Sequence, residues 1–259
     1  MKKKFHFIAV LTFYTIALEL SIFFRVRQLN PDWYLNLSDL EYGWVPISLF
    51  KALGPLVGGL FCILFLRKYF KSTISLTGKS LALSLIYFLA PVLMIGVWGV
   101  NSDSGGNTHL FGLLTGLTMM GYCLFEETGW RGFLQDAFRG ILNPYRFIII
   151  GVLWYFWHLN FLNVGPYNWK FGLFVHLPSC ILGSWIIGYF ADKYKSLLIA
   201  AAIHSVFNIF FHLQADLLTK AIITSGVLLI WILTSFLFNK NANTKSVINN
   251  NSDLLSYEY

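Results

Sequence analysis

The sequence predicts an all-α, polytopic membrane protein of about eight transmembrane helices. Three observations lead there. The 259 residues are 56% hydrophobic and only 12% charged, with a mean hydropathy of +0.62, which is too apolar for an ordinary soluble domain. Apolar runs of close to the twenty or so residues that cross a hydrocarbon core recur along the whole chain. The lysines and arginines lie mainly between those runs, on alternate connections.

The runs fall at residues 5–24, 45–66, 81–100, 110–127, 147–162, 171–190, 197–213 and 221–238. The first follows "MKKK", a signal-peptide-like start, but its apolar stretch is long and no small-residue cleavage site follows it, so it reads as a retained helix. No internal linker divides residues 1–238, which read as a single transmembrane domain with a motif-bearing core at about 110–213. Residues 239–259 are polar and Asn-rich and read as a disordered cytoplasmic tail.

Orientation follows from the basic residues. One set of connections holds Lys2, Lys3, Lys4, Arg67, Lys68, Lys71, Lys79, Arg131, Arg139, Arg146, Lys193, Lys195, Lys240 and Lys245, and the alternate set holds only Arg25, Arg27, Lys170 and Lys220. The bias keeps phase through all eight segments and places both termini in the cytoplasm of a cell membrane. These charges form no stripe or aromatic-interleaved patch, so the net charge of +7 speaks for topology and against nucleic acid. Cys62, Cys123 and Cys180 sit in apolar stretches without CxxC spacing and read as small apolar side chains.

Polar residues inside the apolar segments are the candidates for chemistry, because a charge at mid-bilayer costs about 2.5–3.5 kcal/mol or more. "EETGWR" carries Glu126, Glu127 and Arg131; "WYFWH" carries Trp154 and His158; "HSVFN" carries His204 and Asn208. Residues four apart share one helix face, so Glu127 aligns with Arg131, Trp154 with His158 and His204 with Asn208. From the cytoplasmic ends of their helices, His158 lies about 18 Å deep and His204 about 10 Å deep. Three helices can therefore turn their polar groups toward one another in the cytoplasmic half of the bilayer, forming an active site buried in the bundle. His176 and His212 have no motif around them and read as structural, and Glu19 and Lys51 are not tied to the site.

These three motifs, in this order and spacing, resemble those of the CPBP family of intramembrane proteases, which includes type II CAAX prenyl endopeptidases and bacteriocin-processing or immunity relatives. The pattern EExxxR is filled by Glu126, Glu127 and Arg131, an aromatic-xxxH by Trp154 and His158, and HxxxN by His204 and Asn208. Trp154 stands where Phe is commoner. The resemblance implies hydrolysis of a peptide bond in a membrane-associated protein or peptide, with Glu126 as general base, His158 positioning the water, and His204 and Asn208 holding the oxyanion. Glu127 and Arg131 then fix the helix geometry.

Two accounts of the water stay open at this level. Two histidines and a glutamate form a common zinc-ligand set, so a Zn²⁺ would be held by His158, His204 and Glu126. There is no HExxH helix, and a metal-free, glutamate-activated water is slightly preferred. Other functions with different consequences are a non-catalytic membrane scaffold or immunity protein of the same fold, and a proton-coupled transporter, for which pseudo-symmetric halves are expected and none is found. The Lys-, Ile- and Asn-rich chain looks bacterial, which favours a peptide pheromone, a bacteriocin leader or a membrane-anchored precursor as substrate.

Overall fold

The structure, a computed structural model, describes residues 2–25, 42–66, 72–101, 107–162 and 172–255. The topology-signal residues Arg27, Arg67, Lys68, Lys71 and Lys170 lie outside them. The described residues form helices and connecting segments, without a named strand: α1 Lys2–Arg25, α2 Trp44–Lys51, α3 Leu53–Phe65, α4 Leu81–Trp98, α5 Thr108–Gly129, α6 Asn143–Leu162, α7 Leu177–Tyr194, α8 Leu197–His212 and α9 Leu217–Leu255. Each apolar run of the sequence thus appears as helix. By length and apolarity, five helices among the described residues can cross a membrane, or six if the bent α2–α3 pair is one span. Helix α8, with 16 residues, is about 24 Å long and falls short of a roughly 30 Å core.

The run at 45–66 is not one straight helix: α2 and α3 meet at Ala52 with a bend of 48°. Pro55, buried in the first turn of α3, has no N–H to give the carbonyl of Lys51, so the helical hydrogen-bond ladder loses a rung at this point. Helix α9 carries helical backbone beyond Phe238 into the polar stretch that reads as disordered; nothing between 239 and 255 is Gly or Pro.

The fourth run differs most from its sequence reading. Instead of ending at Glu127, the helical path passes from α5 through a π-helical turn, Trp130–Leu134, and on to Gln135–Ala137. Trp130, Phe133 and Leu134 are apolar and buried, so this extra stretch lies inside the protein. Glu126, Glu127 and Arg131 are therefore enclosed and do not meet water at a helix end. A wider turn of this kind is often found at functional sites, because it re-aims the side chains that follow it.

Close packing fixes α5 against its neighbours. A Cβ on Gly129 would lie 2.5 Å from the carbonyl oxygen of Pro55, and one on Gly59 would lie 2.7 Å from Cα of Gly129. Small residues let helix backbones approach this closely in a membrane bundle. Phe13 of α1 fits edge-on to Trp130 at 5.3 Å, and Trp130 meets Trp157 of α6 at 5.8 Å. The Trp157 indole donates to Ser21 Oγ at 3.0 Å, satisfying its buried N–H.

At the end of the bundle read as cytoplasmic, residues 72–80 tie the helices together. Ser75 bridges to Ser196, its N–H donating to the carbonyl of Lys195 and its own carbonyl accepting from Leu197 N–H, each at 2.9 Å. Thr73 donates its backbone N–H to Asp136 at 2.6 Å, and Arg139 pairs with the same carboxylate. Arg146 pairs with Asp192 across α6 and α7. Lys195 takes a left-handed conformation, φ 56°, which closes α7, and Ser196 caps α8 by accepting from Ile199 N–H. These links set the height of α8, and with it His204, relative to α5. Outside, large apolar side chains such as Phe65, Val97, Ile232 and Phe236 are exposed, as a lipid-facing surface requires.

Candidate active site

Helix α5 with its π-helical turn, α6 and α8 carry the polar residues of the three sequence motifs and bring them together. Glu127 is the central anchor. Arg131 Nη1 donates to Glu127 Oε1 at 3.1 Å and lies 2.9 Å from Oε2; all of this is fully buried. His204 Nδ1 of α8 approaches Glu127 Oε1 to 2.8 Å, a close contact without the alignment of a hydrogen bond. Arg131 also stacks its guanidinium 5.2 Å from the Trp154 ring centroid. Glu127, Arg131 and His204 thus join the first and third motifs through one carboxylate.

Glu126 points to a different partner. The Trp154 indole N–H donates to its Oε2 at 2.9 Å, while Oε1, also buried, has no protein hydrogen-bond partner. Trp154 therefore does more than fill space: it holds one oxygen of the carboxylate and leaves the other for a further donor. Its own ring lies edge-on to His204 at 5.0 Å and near His158 at 5.2 Å. His158 Nδ1 lies 2.8 Å from the carbonyl oxygen of Trp154. An Nδ1–H donated to that carbonyl places the second ring nitrogen, Nε2, as the acceptor.

Asn208, buried on α8 one turn after His204, donates to Cys123 Sγ at 3.2 Å. Cys123 stands three residues before Glu126, so it shares that face of α5. Sequence reading passes over this cysteine as apolar filler, although its spacing from Glu126 is the signal that would have brought it in. It also passes over His176 and Cys180, which pack beside His158; their i,i+4 spacing is the corresponding signal.

The metal question can be put to these contacts. Glu126, His158 and His204 do not bring their ligand atoms together: among the described residues, the set whose ligand atoms all lie within 4.8 Å is His158, His176 and Cys180. His204 is drawn to Glu127 and Glu126 is held by Trp154, so the first-named trio does not form a ligand set here. The arrangement suits two other tasks: a buried carboxylate oxygen able to take a proton, and imidazole and amide donors able to face a developing negative charge.

Residues 107–210 match the family model described as type II CAAX prenyl endopeptidase Rce1-like. That stretch begins at the cap of α5 and ends in α8, so it contains every residue of the three motifs. The chain is also similar to "CAAX prenyl protease 2" of Methanococcus maripaludis, 27% identical over 129 residues. These likenesses support the CPBP family. The second covers 45% of this chain and 46% of the relative, so the matched part spans about half the length of that curated protein. The stretch that matches is the helical core that gathers the buried carboxylates, and the helices before and after it lie beyond the Rce1-like match.

Proposed function

We propose that the chain is a CAAX-type intramembrane endopeptidase that hydrolyses a peptide bond of a membrane-associated protein or peptide with an activated water. The observation that carries this reading is Glu126: a buried carboxylate with Oε2 held by Trp154 and Oε1 without a protein partner, beside the Glu127–Arg131–His204 group. The Rce1-like match and the name of the Methanococcus relative support the reaction class. Prenylated C-terminal tails are the substrate which that relative's name suggests; membrane-anchored precursors and peptide leaders are the wider class proposed for this chain.

In the proposed reaction, Glu126 Oε1 takes a proton from water as the water oxygen attacks the scissile carbonyl. His158, oriented by the carbonyl of Trp154, holds the water through Nε2. The new C–O bond places negative charge on the carbonyl oxygen, where His204 and Asn208 donate. Glu126 then passes the proton to the departing amine nitrogen as the C–N bond breaks. Glu127 keeps His204 oriented, and Arg131 balances its charge. The substrate is extended at the site, which is tolerable at this depth only within a protein-lined space.

The test compares the parent with Glu126→Gln at matched membrane abundance, using membrane-anchored peptides and mass spectrometry of the products. Cleavage by the parent and its collapse in Glu126→Gln is expected. Equal cleavage by both removes Glu126 from the chemistry, and absence of cleavage by either, with the biological phenotype intact, favours the scaffold.

A further inference from the structure

We propose that His158, His176 and Cys180 form a binding site for a soft divalent cation such as Zn²⁺, and that filling it withdraws His158 from the water and switches hydrolysis off. The first half stands on geometry alone; the second rests on the hydrolytic role proposed above for His158.

One ligand atom from each of the three residues lies within 4.8 Å of the others. Cys180 Sγ is 3.7 Å from His176 Nε2, and the His158 and His176 rings meet at 5.1 Å, nearly perpendicular. With zinc–sulfur and zinc–nitrogen bonds of about 2.3 and 2.0–2.1 Å, tetrahedral ligand atoms sit roughly 3.3–3.6 Å apart. The sulfur–nitrogen pair is already near that spacing, and small side-chain rotations bring in the third ligand. His176 and Cys180 are four residues apart, spanning the change from the π-helical turn Gly172–His176 into α7, so both face α6. The contact of His158 Nδ1 with a backbone carbonyl is the kind of outer partner that metal-ligating histidines use.

The donor set selects the ion. One thiolate and two imidazoles suit Zn²⁺ or Co²⁺ and not Mg²⁺ or Ca²⁺. Cys180 is buried, while both histidines are half-buried, which leaves a side for the ion to approach. Cys180 binds as the thiolate, so its proton passes to solvent, and two neutral imidazoles add no further proton. Three protein ligands leave a fourth position open, yet this is not a catalytic zinc in the proposed reaction: Glu126 and His204 are not among the ligands. The ion instead competes for the imidazole that orients the water.

Cobalt(II) added to the purified, reduced protein in detergent tests binding apart from activity. One equivalent is expected to give a thiolate-to-cobalt charge-transfer band and tetrahedral d–d bands, both lost or shifted in Cys180→Ser and unchanged in Cys62→Ser. His176→Gln is expected to weaken binding at least about tenfold, the smaller loss seen even when an outer partner is removed. X-ray absorption on the zinc-loaded wild-type protein needs no variant: one sulfur and two imidazoles support the site, and a shell of oxygen and nitrogen alone overturns it. In peptide cleavage, zinc is expected to inhibit the wild type, with His176→Gln requiring at least about tenfold more zinc. Equal zinc sensitivity of the two overturns the inhibitory role. Cobalt bound through Cys180 in a protein that cleaves nothing leaves the site standing and defeats the hydrolytic reading; cleavage without Cys180-dependent binding does the reverse.

Discussion

The indole nitrogen of Trp154 lies 2.9 Å from Oε2 of Glu126, joining the second sequence motif to the first by a buried hydrogen bond. Such a bond does two things for a carboxylate in an apolar bundle. It replaces one lost hydration partner, and it fixes which oxygen remains available.

Replacing Trp154 by Phe keeps an aromatic ring and removes only that donor. A hydrogen bond to a charged group is worth about 1.5–3 kcal/mol, so kcat is expected to fall at least roughly tenfold. KM is expected to stay near the parent value, because the indole positions Glu126 and does not hold substrate. Steady-state cleavage kinetics check this; an unchanged kcat removes Trp154 from the positioning of Glu126.

Much of this site was legible beforehand because intramembrane charges are costly and sequence spacing reports shared helix faces. Glu127 and Arg131, four apart, do pair, and His204 does arrive from another helix to join them. What spacing cannot give is the choice of partner between helices. It aligns Trp154 with His158 but says nothing of the indole reaching Glu126, and it leaves Cys123 and Cys180 as apolar filler although both border the site. The helix boundary near Glu127 was misplaced for a related reason. A run of charges reads as a helix end when exposed, whereas buried pairing and a π-helical turn carry the chain on to Ala137. The bend at Ala52 was hidden by uniform apolarity on either side of it, although Pro55 marks it.

Stability separates the two glutamates. Glu127 balances Arg131 and meets His204, all fully or nearly fully buried, and breaking a buried pair by removing one partner costs about 3–5 kcal/mol. Arg131→Ala and Glu127→Ala are therefore expected to lower the thermal unfolding midpoint in detergent and the amount of protein in the membrane. Glu126→Gln, which retains an oxygen for the Trp154 indole, is expected to unfold near the parent midpoint. Comparable destabilisation by all three substitutions defeats the division of labour between a structural and a chemical carboxylate.

Orientation is a separate expectation, resting on the Lys and Arg bias and on the helical order. Asn107 caps the start of α5, and Asn143 begins α6, with one apolar helical path between them. Reporter fusions at these two positions are expected to face opposite sides of the membrane, with Asn143 on the cytoplasmic side. Equal signals place both ends of that path on one face, and the placing of the site in the cytoplasmic half of the bilayer then fails with it.

Asn208 gives the sharpest test of the oxyanion assignment, because its present acceptor is weak. A cysteine sulfur accepts poorly, so the amide N–H that lies 3.2 Å from Cys123 Sγ is readily surrendered to a carbonyl oxygen gaining negative charge. Asn208→Ala removes a donor and is expected to lower kcat by roughly 10²–10³ while leaving cleavage measurable. Cys123→Ala takes away only the resting acceptor and is expected to keep kcat near the parent value. Cys123→Ser installs a stronger acceptor of similar size, which competes with the substrate for the same N–H; kcat is expected to fall below that of Cys123→Ala at equal thermal stability. An amide that merely joins α8 to α5 behaves differently: Cys123→Ala then loses stability, Cys123→Ser restores it, and activity follows stability in both variants. Measuring kcat and the unfolding midpoint for the three proteins side by side distinguishes a donor to the reacting oxygen from an interhelical tie.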